Sequence, residues 1–402
     1  MKKRKALLIL AAVSGALLLG GCGGEGQKIY EQAEHDLAQG SYQYALEGYQ
    51  TSVQNGVNLA KSYRGAGIAN LRMGNYEDAI TCFGEALDCE KVSSSLKKDI
   101  LSYRATAELK AGKYEDAMAD CQTLGEDFSM DAGTYFLTGK VALAMDSYEE
   151  AASNFKQAYG EDSTYDTAIK IYEAYVDKDM EADGTRYLEA ALSSEAKDAQ
   201  DHCDRGRVYY YMDDHDNARS ELLEASGNGN TEALLLLGMV YLDQNDVTNA
   251  RAMYTQYISA VGDSAKGYNG LALCDIQEGD YDSALTNITR ALPTATTEEM
   301  QSILFNEIVA YEKKLDFATA LTKAEEYVDM FPEDAAAKKE VKFLKTRVST
   351  GTSDSSAADS AVTAAEGSTD NAESSPDGST DSTDSSGTDG YEDAGTSDGG
   401  EG

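Results

Sequence analysis

The sequence predicts an all-α solenoid of about nine helical hairpins, closed by a C-terminal capping helix, and three regularities predict it. A mostly aromatic anchor returns at Tyr42, Tyr76, Tyr114, Tyr148, Met180, His215, Val247, Tyr281 and Phe317, at intervals of 34, 38, 34, 32, 35, 32, 34 and 36 residues. Three residues after each anchor stand Ala45, Ala79, Ala117, Ala151, Asp183, Ala218, Ala250, Ala284 and Ala320, eight alanines in nine slots, which composition does not explain. Four residues further on come Tyr49, Phe83, Cys121, Phe155, Tyr187, Leu222, Tyr254, Ile288 and Ala324, one helical turn along the same face, so that face is buried.

Within each unit the first helix carries a slot nine residues before the anchor, held by Ala33, Gly67, Ala105, Gly139, Ile171, Gly206, Gly238, Ala272 and Ile308. These residues are mostly small and let two helices cross closely. The slot two before the anchor holds Gly40, Gly74, Gly112, Asp146, Lys178, Asp213, Asn245, Gly279 and Leu315, mostly types that tolerate the left-handed conformation ending a helix. Ser41, Asn75, Lys113, Ser147, Asp179, Asp214, Asp246, Asp280 and Asp316 follow, and all but the lysine carry a side-chain oxygen able to cap the second helix. Each unit therefore reads helix, tight turn, helix. The segment Glu333 to Val348, with Lys338, Lys339, Lys342, Lys345 and Arg347, reads as a solvating cap on the open end.

This pattern resembles the tetratricopeptide repeat, over about four fifths of the chain. The second unit carries the resemblance best, with Tyr63, Gly67, Gly74, Tyr76, Ala79, Phe83 and Ala86. The fourth unit adds Tyr135, Gly139, Tyr148, Ala151, Phe155 and Ala158, and the last two end on Pro293 and Pro332. The fifth departs, with Met180 as anchor and Asp183 in the alanine slot. The resemblance implies a right-handed solenoid over residues 27–348 whose first helices line a concave groove.

The amino terminus predicts location. Lys2, Lys3, Arg4 and Lys5 precede an apolar run from Ala6 to Leu19, short for a membrane span and suited to a secretory signal over residues 1–21. Leu19-Gly20-Gly21-Cys22 is similar to the bacterial lipobox. The resemblance implies cleavage before Cys22, diacylglycerol on its sulfur, and an extracytoplasmic lipoprotein anchored to the bacterial cell membrane. Residues 22–26 then form only a short linker, which sets the solenoid close to the bilayer. From Ser349 to Gly402 the chain is Ser, Thr, Asp, Gly and Ala with thirteen acidic and no basic residues, and it is expected to be a disordered tail.

The net charge of −37 becomes −41 without the four basic signal residues, of which −13 belongs to the tail and −28 to the rest. Such a surface repels nucleic acid and anionic lipid headgroups, so the lipid must supply the membrane attachment. Five further cysteines, at 82, 89, 121, 203 and 274, form no CxxC pair and read as reduced, small apolar residues.

Catalytic chemistry finds no support. His202 and Cys203 lie among Asp201 and Asp204, and His215 lies between Asp214 and Asp216. The two clusters are separated by one helix of about 18 Å, too far to share an ion. Gly395-Thr396-Ser397-Asp398-Gly399 has the spelling of a nucleophile elbow without the strand and helix that motif needs. Ser153 with Lys156, Ser94 with Lys97 and Ser95 with Lys98 have no partner motifs. No cofactor or metal site is expected, and no enzymatic activity.

Recognition remains. Counting back from the anchors places Lys61, Arg64, Ile68 and Leu71 in the groove, then Phe136, Lys140 and Leu143, then Tyr165, Tyr172 and Tyr175, then Arg207, Tyr210 and Tyr211. Against an acidic background that surface is aromatic and locally basic, which suits an extended peptide or protein partner with carboxylate groups. Half of these aromatics would equally serve helix packing. The expected function is a non-catalytic, membrane-anchored interaction scaffold, with envelope assembly as one setting. The alternatives are an extracytoplasmic receptor for a small ligand or glycan, and an auxiliary subunit of a cell-wall-processing machine.

Overall fold

The computed structural model describes residues 24–332 and 334–357. The expected signal peptide, Cys22 and residues 358–402 of the expected tail lie outside them, whereas residues 349–357, expected in that tail, are helical. Nine hairpins follow one another: α1 (Gly24–Ala38) with α2 (Tyr42–Gln54), α3 (Leu59–Arg72) with α4 (Tyr76–Asp88), and α5 (Ser94–Lys110) with α6 (Tyr114–Asp127). Then come α7 (Ala132–Ala144) with α8 (Tyr148–Glu161), α9 (Tyr165–Val176) with α10 (Glu181–Ala191), and α11 (Ala199–Tyr211) with α12 (His215–Gly227). The row ends with α13 (Glu232–Asp243) and α14 (Val247–Val261), α15 (Ala265–Glu278) and α16 (Tyr281–Ala291), α17 (Thr297–Lys313) and α18 (Phe317–Met330), and the closing α19 (Ala335–Ala357). A short 3-10 turn, Leu292–Thr294, links α16 to α17.

Eight of the nine anchors are the first residue of their hairpin's second helix, and all eight slot alanines have no exposed surface. The small residues nine before the anchor work as crossing points. A Cβ on Gly67 would stand 2.6 Å from Phe83, on Gly139 2.7 Å from Phe155, on Gly206 2.5 Å from Leu222 and on Gly238 2.4 Å from Tyr254. The large residue of the second helix thus fills the space that the first helix leaves empty.

The fifth hairpin corrects the reading of its frame. Its second helix starts at Glu181, with Met180 as N-cap, so the intervals around it are 33 and 34 residues. In this frame Asp179, not Lys178, takes the left-handed position, as Gly40, Gly74, Gly112, Asp146, Asp213, Asn245, Gly279 and Leu315 do in theirs. Gly184 replaces Asp183 in the alanine slot, and Asp183 is exposed. Tyr172, not Ile171, holds the crossing position. A Cβ on Gly184 would meet Tyr172 Cα at 2.9 Å. Small and large have changed helices here, and the crossing remains filled.

The capping expectation holds for four turns. Asp214, Asp246, Asp280 and Asp316 accept from the backbone N–H three residues on, whereas Ser41, Asn75 and Ser147 form no such bond. These caps share a ψ of about 60–72°, and a carboxylate reaches one bond further than a serine hydroxyl. Asn75 turns toward Asn70 instead. At the amino end, Gly24 to Gly26 form the first turn of α1 instead of a linker, with Gly26 buried on Val57.

Each odd-numbered helix from α1 to α17 touches the next odd-numbered one, while the even-numbered helices make no comparable contact among the described residues. The odd-numbered row is therefore the shorter, inner arc. The arc brings its ends together: Thr297 Oγ1, at the start of α17, donates to the Gly40 carbonyl at 2.6 Å. At the far end Ala337 and Leu344 of α19 cover the core formed by Ile308, Ala320, Ala324 and Tyr327.

Candidate partner-binding face

The inner face is built by the sides of the odd-numbered helices turned away from their own hairpin partners. Lys61 is exposed at the start of this face. Arg64 bonds Asp99 on α5, with Nη2 3.2 Å from Oδ1, and its guanidinium lies 5.4 Å from the Tyr103 ring centroid. Phe136 packs on Phe155 at 5.8 Å, and Lys140 Nζ lies 5.8 Å from the Phe136 ring.

Two expected groove tyrosines belong to the core. Tyr175 is 2% exposed and packs between Phe155 and Tyr187. Tyr172 is 8% exposed and its hydroxyl donates to Glu181 at 3.2 Å. The shifted frame is the reason: counting from Met180 rather than Glu181 moved both by one residue, about 100° around the helix. Counted from Glu181, the groove register falls on Glu173, which accepts the Tyr211 hydroxyl at 2.6 Å across α9 and α11.

Arg207 lies on the inner face but is occupied. It pairs with Asp166 on α9 and with Asp204 one turn back at 3.2 Å. Tyr210 is half-buried against Tyr211 and His215, with centroids 6.3 and 6.0 Å away. Burial raises the Tyr211 phenol above its usual range, with the Glu173 bond adding to it. The sequence reading did not pair these side chains with Asp99, Asp166, Asp204 and Glu173, although all four lie on odd-numbered helices and Asp99, Asp166 and Glu173 fall at groove register. It also passed over Met239, Leu273 and Val309, which occupy the Lys140 register on α13, α15 and α17 and are half-buried.

The chemistry-bearing side chains are tied into the fold. His202 Nδ1 lies 2.6 Å from one oxygen of Glu221, and Arg205 Nε donates to the other at 2.9 Å. Burial pushes the thiols of Cys82 and Cys121 up to about 11 and those of Cys203 and Cys274 up to about 12. They are weak nucleophiles at neutral pH. Cys121, Cys203 and Cys274 are buried, while Cys82 and Cys89 are half-buried, so small-apolar packing describes the first three better. Glu108 is buried beside Asp120, and burial pushes its carboxyl up to about 7. Among the described residues no group of three or more His, Cys, Asp or Glu could hold a metal ion. The surface hollows along α14 at Thr248, Arg251 and Thr255 and over Asp146–Glu150 are shallow and open.

With this geometry in place, residues 64–127, 203–265 and 235–299 match the family model of the tetratricopeptide repeat, and the chain carries such repeats. It is 30% identical over 125 residues to human tetratricopeptide repeat protein 12, covering 31% of this chain and 17% of that one. It is 29% identical over 144 residues to the Hsp70-Hsp90 organizing protein 1 of Glycine max, covering 33% and 24%. The chain thus spans less than a quarter of the length of these curated relatives. Among solved structures, a tetratricopeptide repeat protein from Parabacteroides merdae aligns with a TM-score of 0.38 at 16% identity, covering 62% of this chain and 98% of that one. Yeast Tom70 aligns with a TM-score of 0.37 at 12% identity, covering 81% and 88%.

Proposed function

We propose that this chain is a non-catalytic interaction scaffold, anchored through lipid on Cys22 to the outer surface of a bacterial cell membrane, which holds a protein partner against its inner face. The observation that carries the reading is the unbroken inner arc of odd-numbered helices from α1 to α17. A contiguous concave surface on rigid elements suits a partner segment laid across several helices. His202 and His215 are held in structural bonds, and the cysteines at 82, 89, 121, 203 and 274 are buried or half-buried, arrangements that suit a packing role. Envelope assembly is the setting that the predicted export and anchoring favour.

The test is crosslinking and capture from native membranes with wild type, Cys22→Ser, and a double inner-face variant, Lys61→Glu with Lys140→Glu. Neither lysine forms a core contact that the fold requires, unlike Arg207. Cys22→Ser is expected to release the chain from membranes or block its processing, and the double variant is expected to lose partners that the wild type holds. Normal processing and retention of Cys22→Ser would remove the lipid anchor from the account. Catalytic turnover by the purified chain would remove the scaffold.

A further inference from the structure

We infer that the last three hairpins seat a particular class of ligand: a linear segment of apolar residues flanked by lysines or arginines. This rests on the inner-face reading and adds to it a place and a chemistry. Eight residues before the second helix of each hairpin, α13, α15 and α17 carry Met239, Leu273 and Val309, each half-buried. One turn before or after them on the same helices, Leu235, Leu242, Ile276 and Phe305 are also partly buried and pack against the core, which extends the apolar stripe and ties it to the fold.

The same register differs in the earlier hairpins. It holds Glu34, Ile68, Thr106, Lys140, Glu173 and Arg207. Ile68 is taken into the core, while Glu34, Glu173 and Arg207 are bonded to Tyr49, Tyr211 and Asp166. On these helices two pairs of neutral polar side chains satisfy one another, while Glu312, one turn after Val309, is half-buried with one carboxylate oxygen unpartnered. Asn306 Nδ2 donates to Asn269 Oδ1 at 2.9 Å, and Gln277 Nε2 donates to Asn245 Oδ1 at 2.8 Å. The amide pairs need no counter-ion, and a basic flank on the occupant would meet Glu312.

Charge fixes the flanks of the occupant. Residues 228–334 hold eighteen acidic against six basic side chains, a net of −12. Three of the six basic residues are already paired: Arg251 with Asp275 and Glu278, Lys314 with Asp282, and Lys323 with Glu307. An apolar segment with acidic flanks is repelled by this field, and one with basic flanks is drawn in. Helices packed about 8–10 Å apart put the three anchors within roughly 20 Å. Six or seven residues of extended chain, at about 3.3 Å each, cover that distance.

The experiment uses the full chain and three fluorescein-labelled peptides: a Leu/Val core with Lys flanks, the same core with Glu flanks, and a Ser core with Lys flanks. Fluorescence anisotropy is expected to give the first peptide an affinity at least about tenfold above either of the others. Met239→Gln with Leu273→Gln is expected to remove about tenfold of it, at unchanged helical circular dichroism. Photo-leucine in the first peptide, bound to the wild type, is expected to label α13, α15 and α17, which keeps the test independent of any variant's folding. Equal affinity for the three peptides overturns the inference, as does an unaffected variant. Labelling confined to the odd-numbered helices from α3 to α11 overturns it while leaving the inner-face reading intact. Labelling confined to even-numbered helices overturns both.

Discussion

The inner face changes character between α11 and α13. From α3 to α11 it is polar, and much of its polarity is spent joining one hairpin to the next: Arg64 to Asp99, Lys98 to Asp131 at 2.6 Å, Tyr211 to Glu173, and Arg207 to Asp166. From α13 to α17 the side chains at the Lys140 register are apolar and the inner links include amide pairs, while ion pairs such as Arg251 with Asp275 join these hairpins through their even-numbered helices. A repeat array is held together by its nearest-neighbour interfaces, so a polar side chain can look like a binding residue and still be part of that interface. Substitutions should therefore cost stability in the first region and leave it nearly unchanged on the stripe of the second.

The largest effect is expected in the fifth hairpin of the polar region. Gly184→Val forces a side chain onto the Tyr172 backbone and should destabilise by about 3 kcal/mol. Denaturant unfolding measures it, and a change near zero would mean the small and large crossing residues had not exchanged helices. Next, Arg207→Ala removes the cation that pairs half-buried Asp204 and should cost about 1 kcal/mol, more than alanine at exposed Lys61. Equal, negligible costs at both sites would return Arg207 to the pool of available groove residues.

A pH series sharpens the contrast at Glu108. Its folded pKa, about 7, lies above the ordinary carboxylate value, so its contribution to stability is fully present below that ordinary value and is lost as pH rises through about 7. Glu108→Gln should accordingly stabilise by about 1 kcal/mol at pH 8 and have little effect at pH 5. Thermal melts at the two pH values decide it, and an equal shift at both would show that the carboxyl is not held protonated by burial. The smallest effect is expected on the apolar stripe. Met239→Gln keeps the stem's length and should cost under about 1 kcal/mol, and a loss as large as that of Arg207→Ala would make the stripe a structural interface too.

The hairpin count, the turns and the buried alanines were legible because one packing solution recurs with a fixed period. A helix that must cross its partner closely leaves the same mark at Gly67, Gly139, Gly206 and Gly238. The fifth hairpin was misread by one residue because it reaches the same filled crossing with the sizes reversed, Tyr172 over Gly184, so no alanine marks its frame and Tyr187 alone, seven residues on, points to Met180. That slip carried Tyr172 and Tyr175 from the core to the groove. The acidic partners of Arg64 and Arg207 were hidden for another reason. Asp99 and Asp166 lie 35 and 41 residues from the arginines they meet, so the pairing follows from the stacking of units and leaves no mark within a single one. The apolar stripe at Met239, Leu273 and Val309 was available to the same counting, and attention to aromatic and basic residues passed over it.

The central claim is that partners engage the inner arc. The most direct test is photo-crosslinking in native membranes, with a benzophenone side chain placed singly at Lys140 or Leu273 on the inner face, and at Tyr44 or Leu223 on the exposed even-numbered helices. The account predicts partner adducts from the inner positions and none of comparable yield from the outer ones. Adducts from Tyr44 or Leu223 alone would contradict it and move the binding surface to the outer helices.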